Sequence, residues 1–188
     1  PCSYKILDAC LLDLARHSFA QHLFPHSFGF PTYPASENMT PLLISSLLAV
    51  SSIHHTPSAH YFPALRQDVL ANIKPEQASS LSAEQELDPE LGIGVEEITG
   101  ACLFASWIGG EASWEIARVA RWWTVAYLRL FSRRDGATLG EALTILPPFR
   151  NIEQADRLRV WLMAYVVEAH SCLMNERPGL LENEDARE

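Results

Sequence analysis

The stretch Asn151 to Pro178, NIEQADRLRVWLMAYVVEAHSCLMNERP, constrains this chain most. Ile152, Ala155, Leu158, Leu162, Tyr165, Ala169 and Cys172 recur at three- and four-residue steps, which marks one face of a helix of more than six turns. Trp161 and Val166 widen that face beyond a narrow seam, as in a helix buried among several others. The spacing therefore predicts that this stripe faces the core. Asn151, with Gln154 three residues on, reads as an N-cap with a partial capping box, and Pro178 ends the helix. Glu168 follows Trp161 by two turns and so shares its stripe. A carboxylate there needs a partner, because burying a lone charge is costly. Arg177 and the arginines of a neighbouring helix are the candidates.

The rest of the chain also reads as helices. Tyr4–Leu23 carries Ile6, Leu7, Cys10, Leu11, Leu14, Ser18 and Phe19 at helical period. A proline-broken stretch with Phe24, Phe28, Phe30 and Tyr33 follows, and its rings are expected to pack on the body of the fold. Thr40 as N-cap and Pro41 at the first helical position start a second helix running to about His54, apolar nearly all round and therefore central. Further helices are predicted over Pro57–Ile73, Val95–Ile108, Ser113–Arg133 and Thr138–Leu146, with Gly109-Gly110 separating two of them. Residues 74–94 are acidic, serine-rich and poor in large apolar groups, and are expected to form a mobile loop rather than a domain boundary. No strand-type alternation occurs, so the expected class is all-α: one multi-helix domain of about six or seven helices over residues 1–188.

Composition narrows the function. The chain is 48% hydrophobic and 20% charged, ordinary for a soluble globular domain. Its net charge of −9, with no Lys/Arg-rich run, excludes direct nucleic-acid binding by this segment, because phosphate contacts need a basic footprint. No apolar run reaches membrane length, so no membrane partner is expected. The chain opens on Pro1 and is expected to be a fragment of a longer protein. Cys2, Cys10, Cys102 and Cys172 are scattered without a C-x-x-C, and read as free thiols of an intracellular protein. His54, His55 and His60 do not share a helical face with a carboxylate, and His17 and His22 miss the same-face step, so no metal site is expected. Glu96-Glu97 opens a helix, where negative charge meets the macrodipole favourably. No catalytic motif occurs, and none of the loop glycines sits between a strand and a helix. The candidate ligand-binding set is Arg118, Arg121, Trp122, Trp161, Tyr165 and Glu168, polar or aromatic groups on otherwise apolar helices. A packed aromatic core with structural ion pairs, Arg118 or Arg121 against Glu168 or Glu115, explains the same residues.

Arg159, Trp161, Tyr165, Glu168, Arg177 and Pro178 resemble the regulatory middle homology domain of the fungal zinc-cluster transcription factors, which carries R-x-W, an aromatic, an acid and G-R-P. Two looser matches accompany it. Phe30-Pro31 leads to Thr40-Pro41-Leu42-Leu43 with Leu47, Ala49 and Val50; Ala101-Cys102-Leu103-Phe104 leads to Trp114, Ala120 and Leu128-Arg129-Leu130-Phe131. The resemblance spans residues 30–178. Glu168 replaces the family's usual Asp, and Glu176 replaces the glycine that usually caps the helix. The resemblance implies a nuclear, effector-responsive, non-enzymatic domain acting on RNA polymerase II transcription. Zinc and DNA contact would belong to a separate N-terminal six-cysteine module, so no cofactor is expected in this segment. A small-molecule effector, a co-regulator, other domains of the same protein and a homodimer are the partners it allows. Two readings stay open beside it: an all-α enzyme or small-molecule-binding protein with a Trp/Arg-lined cavity, and a structural dimerisation or co-regulator docking module, which exposure of Trp122 or Trp123 would favour.

Overall fold

In the computed structural model, residues 39–54, 56–88, 91–134 and 154–180 are described. They form five α-helices, and among them no strand occurs. The helices are α1 (Pro41–His54), α2 (Phe62–Ile73), α3 (Val95–Ile108), α4 (Gly110–Arg134) and α5 (Gln154–Asn175). Short 3-10 turns cover Thr56–Tyr61 and Pro75–Ser80, so the expected helix from Pro57 divides into a 3-10 turn and α2. The helices read at Tyr4–Leu23 and Thr138–Leu146, the aromatic stretch at 24–33, and Cys2 and Cys10 lie outside the described residues.

The architecture is built around α3, which packs against α1, α4 and α5; α4 and α5 pack against each other, and α2 against α1. The apolar run in α1 has the consequence that periodicity predicts: every residue from Leu42 to Ser52 except Ile44 is buried. Gly100 permits the α1–α3 approach, since a Cβ there would come within 3.1 Å of the Leu43 Cα and 3.3 Å of the Leu42 carbonyl oxygen. Thr40 precedes α1 without capping it by its hydroxyl. Its backbone N–H donates instead to Glu96 (2.9 Å), tying the start of α1 to the start of α3. Glu97 accepts from the Gly94 N–H (2.9 Å), the half of a capping box that a glycine N-cap allows.

The principal correction to the sequence reading lies in α5. Its buried residues are Val160, Met163, Ala164, Val167, Glu168 and Ser171, whereas Leu158, Leu162 and Tyr165 of the expected core stripe face outward. Trp161 and Val166 are also exposed. The inner face includes small residues, Ala164 and Ser171, where the helices meet. Ser171 and Ser113 share a hydrogen bond of 2.9 Å, and Ser113 also donates to the Ala105 carbonyl (2.8 Å), so side chains of α4 and α5 and the backbone of α3 are linked there. Bulky leucines at those positions would hold the helices apart.

Part of the segment over residues 74–94 packs on the helices. Ala78, Leu81, Ala83 and Leu87 are buried, and the turn Pro75–Ser80 lies against α4. Two alanines and two leucines scattered among acids and serines supply this buried surface.

Candidate functional site

The six candidate residues divide into two neighbouring groups along α4. Arg118 and Trp122 face the segment before α3. The Arg118 Nε donates to the Ala78 carbonyl (2.8 Å), its Nη2 to the Leu81 carbonyl (3.3 Å) and its Nη1 to the Pro178 carbonyl (3.5 Å). The Trp122 indole N–H donates to the Gln85 carbonyl (3.1 Å), one turn along the same face. Trp114 adds a bond to the Pro178 carbonyl (3.2 Å), and the Arg118 guanidinium lies 5.7 Å from its ring centre. Arg118 is thus a buried cation held by main-chain carbonyls, fastening two loop segments to α4. Burial pulls its pKa down, while Glu168 and Cys172 push it back up.

Arg121, Trp161, Tyr165 and Glu168 form the second group, between α4 and α5. The Arg121 Nε stands 3.6 Å from the Glu168 carboxylate, an ion pair longer than a hydrogen bond. Its Nε and Nη1 are buried without a hydrogen-bond partner. The remaining stabilisation comes from aromatic faces: the guanidinium lies 4.9 Å from the Trp161 ring centre and 5.6 Å from that of Tyr165. The two rings stack at 5.3 Å with their planes 2° apart, outside the buried charge. Glu168 is held from its other side, where Oε1 accepts the Leu180 backbone N–H (2.6 Å). Burial lowers the Arg121 pKa; Glu168 first, then Tyr165 and Cys102, oppose that shift.

Of the partners weighed for Glu168, Arg121 is in contact with it. Arg177 pairs instead with Glu111 across the surface (2.6 Å) and lies 5.6 Å from the Trp114 ring centre. Trp122 and Trp123 are buried, so the exposure that would have favoured a docking role at those two residues is not found. The end of α5 accommodates the missing glycine. Glu176 takes φ +53°, and the Arg177 N–H donates to the Cys172 carbonyl (3.1 Å), the bond of a Schellman cap with a glutamate in the left-handed position.

The site contains a residue that sequence reading takes as a free thiol but does not place there. Cys102, buried on α3, lies within the field of Arg121 and Glu168. Its thiol is pushed up to about 12, by burial first and by Glu168 second, against the opposing influence of Arg121. Its helical spacing with Ile98 and Ala105 marks it as core-facing, but nothing in the sequence sets it beside the ion pair. Leu180 was also missed, because the bond it makes is a backbone one. Among the described residues no group of three His, Cys, Asp or Glu is placed to hold a metal ion. None of the described helices is long and apolar enough to cross a membrane.

The arrangement offers no nucleophile with an adjacent base. What it does offer is a buried ion pair whose two ends connect to different parts of the chain: Arg121 to the stacked Trp161–Tyr165 surface, Glu168 to the segment after α5. No family model, curated protein or solved structure matches this chain.

Proposed function

We propose that this chain is the effector-responsive regulatory domain of a fungal zinc-cluster transcription factor, a nuclear regulator of RNA polymerase II transcription that contacts DNA through a separate zinc module. One observation carries this reading: the residues of the family-like pattern on α5 do not act as isolated side chains. Trp161, Tyr165 and Glu168 meet at Arg121, and Pro178 is held by Trp114 and Arg118. A pattern whose residues contact the two buried arginines of α4 suits a regulatory core. Such a core switches by exchanging one set of buried partners for another, and an effector biases it by binding one arrangement better. No catalytic role is assigned to the chain in this reading.

The test has two parts. In the full-length regulator, deletion of this domain changes the output of a reporter gene; an unchanged reporter rejects the regulatory role. In the isolated chain, thermal unfolding against a metabolite panel reveals the effector. A ligand at a hundred times its dissociation constant adds about 2.7 kcal/mol, roughly 5–10 °C here. The shift is lost in Arg121→Ala, measured relative to that variant's own unliganded midpoint. A flat panel rejects the small-molecule input.

A further inference from the structure

The described interior holds more positive charge than negative. Among the described residues its buried charged side chains are Arg118, Arg121 and Glu168, two cations against one carboxylate. Glu168 acts on both arginines, so its single charge is shared between them. The two cations are housed differently. Arg118 donates to the carbonyls of Ala78, Leu81 and Pro178, which spread its charge over main-chain dipoles. Arg121 is 1% exposed, yet its Nε and Nη1 have no hydrogen-bond partner. The Nε faces Glu168 at 3.6 Å, beyond hydrogen-bond length, while the Glu168 Oε1 is engaged by the Leu180 N–H. A buried donor without an acceptor carries the full cost of its desolvation, and on a cation that cost is larger.

We propose that Arg121 binds a monocarboxylate whose body is a planar ring. One negative charge balances the two arginines and Glu168; a dicarboxylate or a phosphate dianion would leave the interior negative instead. Carboxylate oxygens are also the acceptors that guanidinium N–H groups hold best, because both partners are charged. The ring follows from the wall of the site. Trp161 and Tyr165 stack 5.3 Å apart with their planes 2° apart, and their centres stand 4.9 and 5.6 Å from the guanidinium. These rings are 36% and 47% exposed, so the pair reaches from the buried cation to solvent. A ligand entering along it keeps its ring against an aromatic face and its carboxylate towards Arg121, as the pair shifts to admit it. The inference rests on the effector reading above and names the chemistry of that effector.

Thermal unfolding of the full 188-residue chain at constant ionic strength tests it, with benzoate and indole-3-acetate as probes, their neutral amides as isosteres, and inorganic phosphate as a plain anion. The expected result is a midpoint that climbs with the concentration of either carboxylate and stays level with the amides and with phosphate. Arg121→Lys keeps the charge but loses the guanidinium donors, and weakens carboxylate binding at least about tenfold relative to that variant's own unliganded midpoint. Trp161→Leu removes a half-exposed ring rather than a buried charge, so the fold survives, and weakens it about threefold or more. Level midpoints with both carboxylates overturn the proposal, as do amides or phosphate that match them. A carboxylate shift unchanged in both variants places the ligand elsewhere and also overturns it. The two readings fail separately. A neutral metabolite whose shift requires Arg121 removes the carboxylate and leaves the regulatory role; an Arg121-dependent carboxylate shift with an unchanged reporter does the reverse.

Discussion

Substituting either member of the Arg121–Glu168 pair tests whether these charges are coupled in the folded state. At 3.6 Å and an effective dielectric of about 20, their attraction is about 4–5 kcal/mol. That attraction offsets the desolvation of two side chains that are 1% and 7% exposed. Glu168→Gln keeps an acceptor for the Leu180 N–H but strands the Arg121 cation, and the expected cost is about 3–5 kcal/mol. Arg121→Met keeps much of the aliphatic contact with Trp161 and Tyr165 while stranding the carboxylate, at a similar cost. The double variant removes both charges together and leaves a neutral, still hydrogen-bonded site. It should lose no more than about 2 kcal/mol, giving a coupling of about 4 kcal/mol or more. Urea unfolding at pH 7, followed by circular dichroism with the slopes compared across the four proteins, measures this directly. Single variants costing under about 1 kcal/mol, or a double variant equal to the sum of the singles within about 0.5 kcal/mol, would refute the reasoning.

Two further outcomes follow from local geometry. Glu176 occupies the left-handed region at φ +53°, so Glu176→Gly relieves strain and should stabilise the chain by about 0.5–1 kcal/mol after the added freedom of the unfolded state is counted; destabilisation in the same urea assay contradicts the cap assignment. Cys102, with its thiol raised to about 12 by burial, should resist alkylation at pH 8 until the chain unfolds, whereas the half-buried Cys172 reacts first in peptide-mapped mass spectra. The sign of the linked stability follows from the raised value: the contribution is intact below the ordinary thiol range and is lost as pH rises towards 12. Cys102→Ala should therefore lose less stability than the parent chain over that alkaline interval.

The helical class was legible from the three- and four-residue spacing of apolar side chains, and Pro41 marked the start of α1 as read. The orientation of α5 was not. Two apolar stripes run along it, and counting large residues selects Leu158, Leu162 and Tyr165 over Ala164 and Ser171. The buried side is the one where Ser171 hydrogen-bonds Ser113 of α4, a contact that leucine cannot make. The need of Glu168 for a cation could be argued from burial cost, and Arg121 on α4 meets it. The partners of Arg118 could not be anticipated. They are main-chain carbonyls of Ala78, Leu81 and Pro178, a donor–acceptor match that leaves no mark on residue type.

Arg118 also imposes a sequence of events on biosynthesis. Two of its acceptors are translated before it, while the third, on Pro178, comes 60 residues later. At about 5–20 residues per second, roughly 3–12 s pass before that carbonyl exists, and Glu168 arrives only shortly before it. During that interval the nascent α4 carries two arginines destined for the interior and no carboxylate from α5 to neutralise the second. The neutralising contact for Arg121 is therefore completed only once α5 has been made, which sets the last step in burying that face of α4.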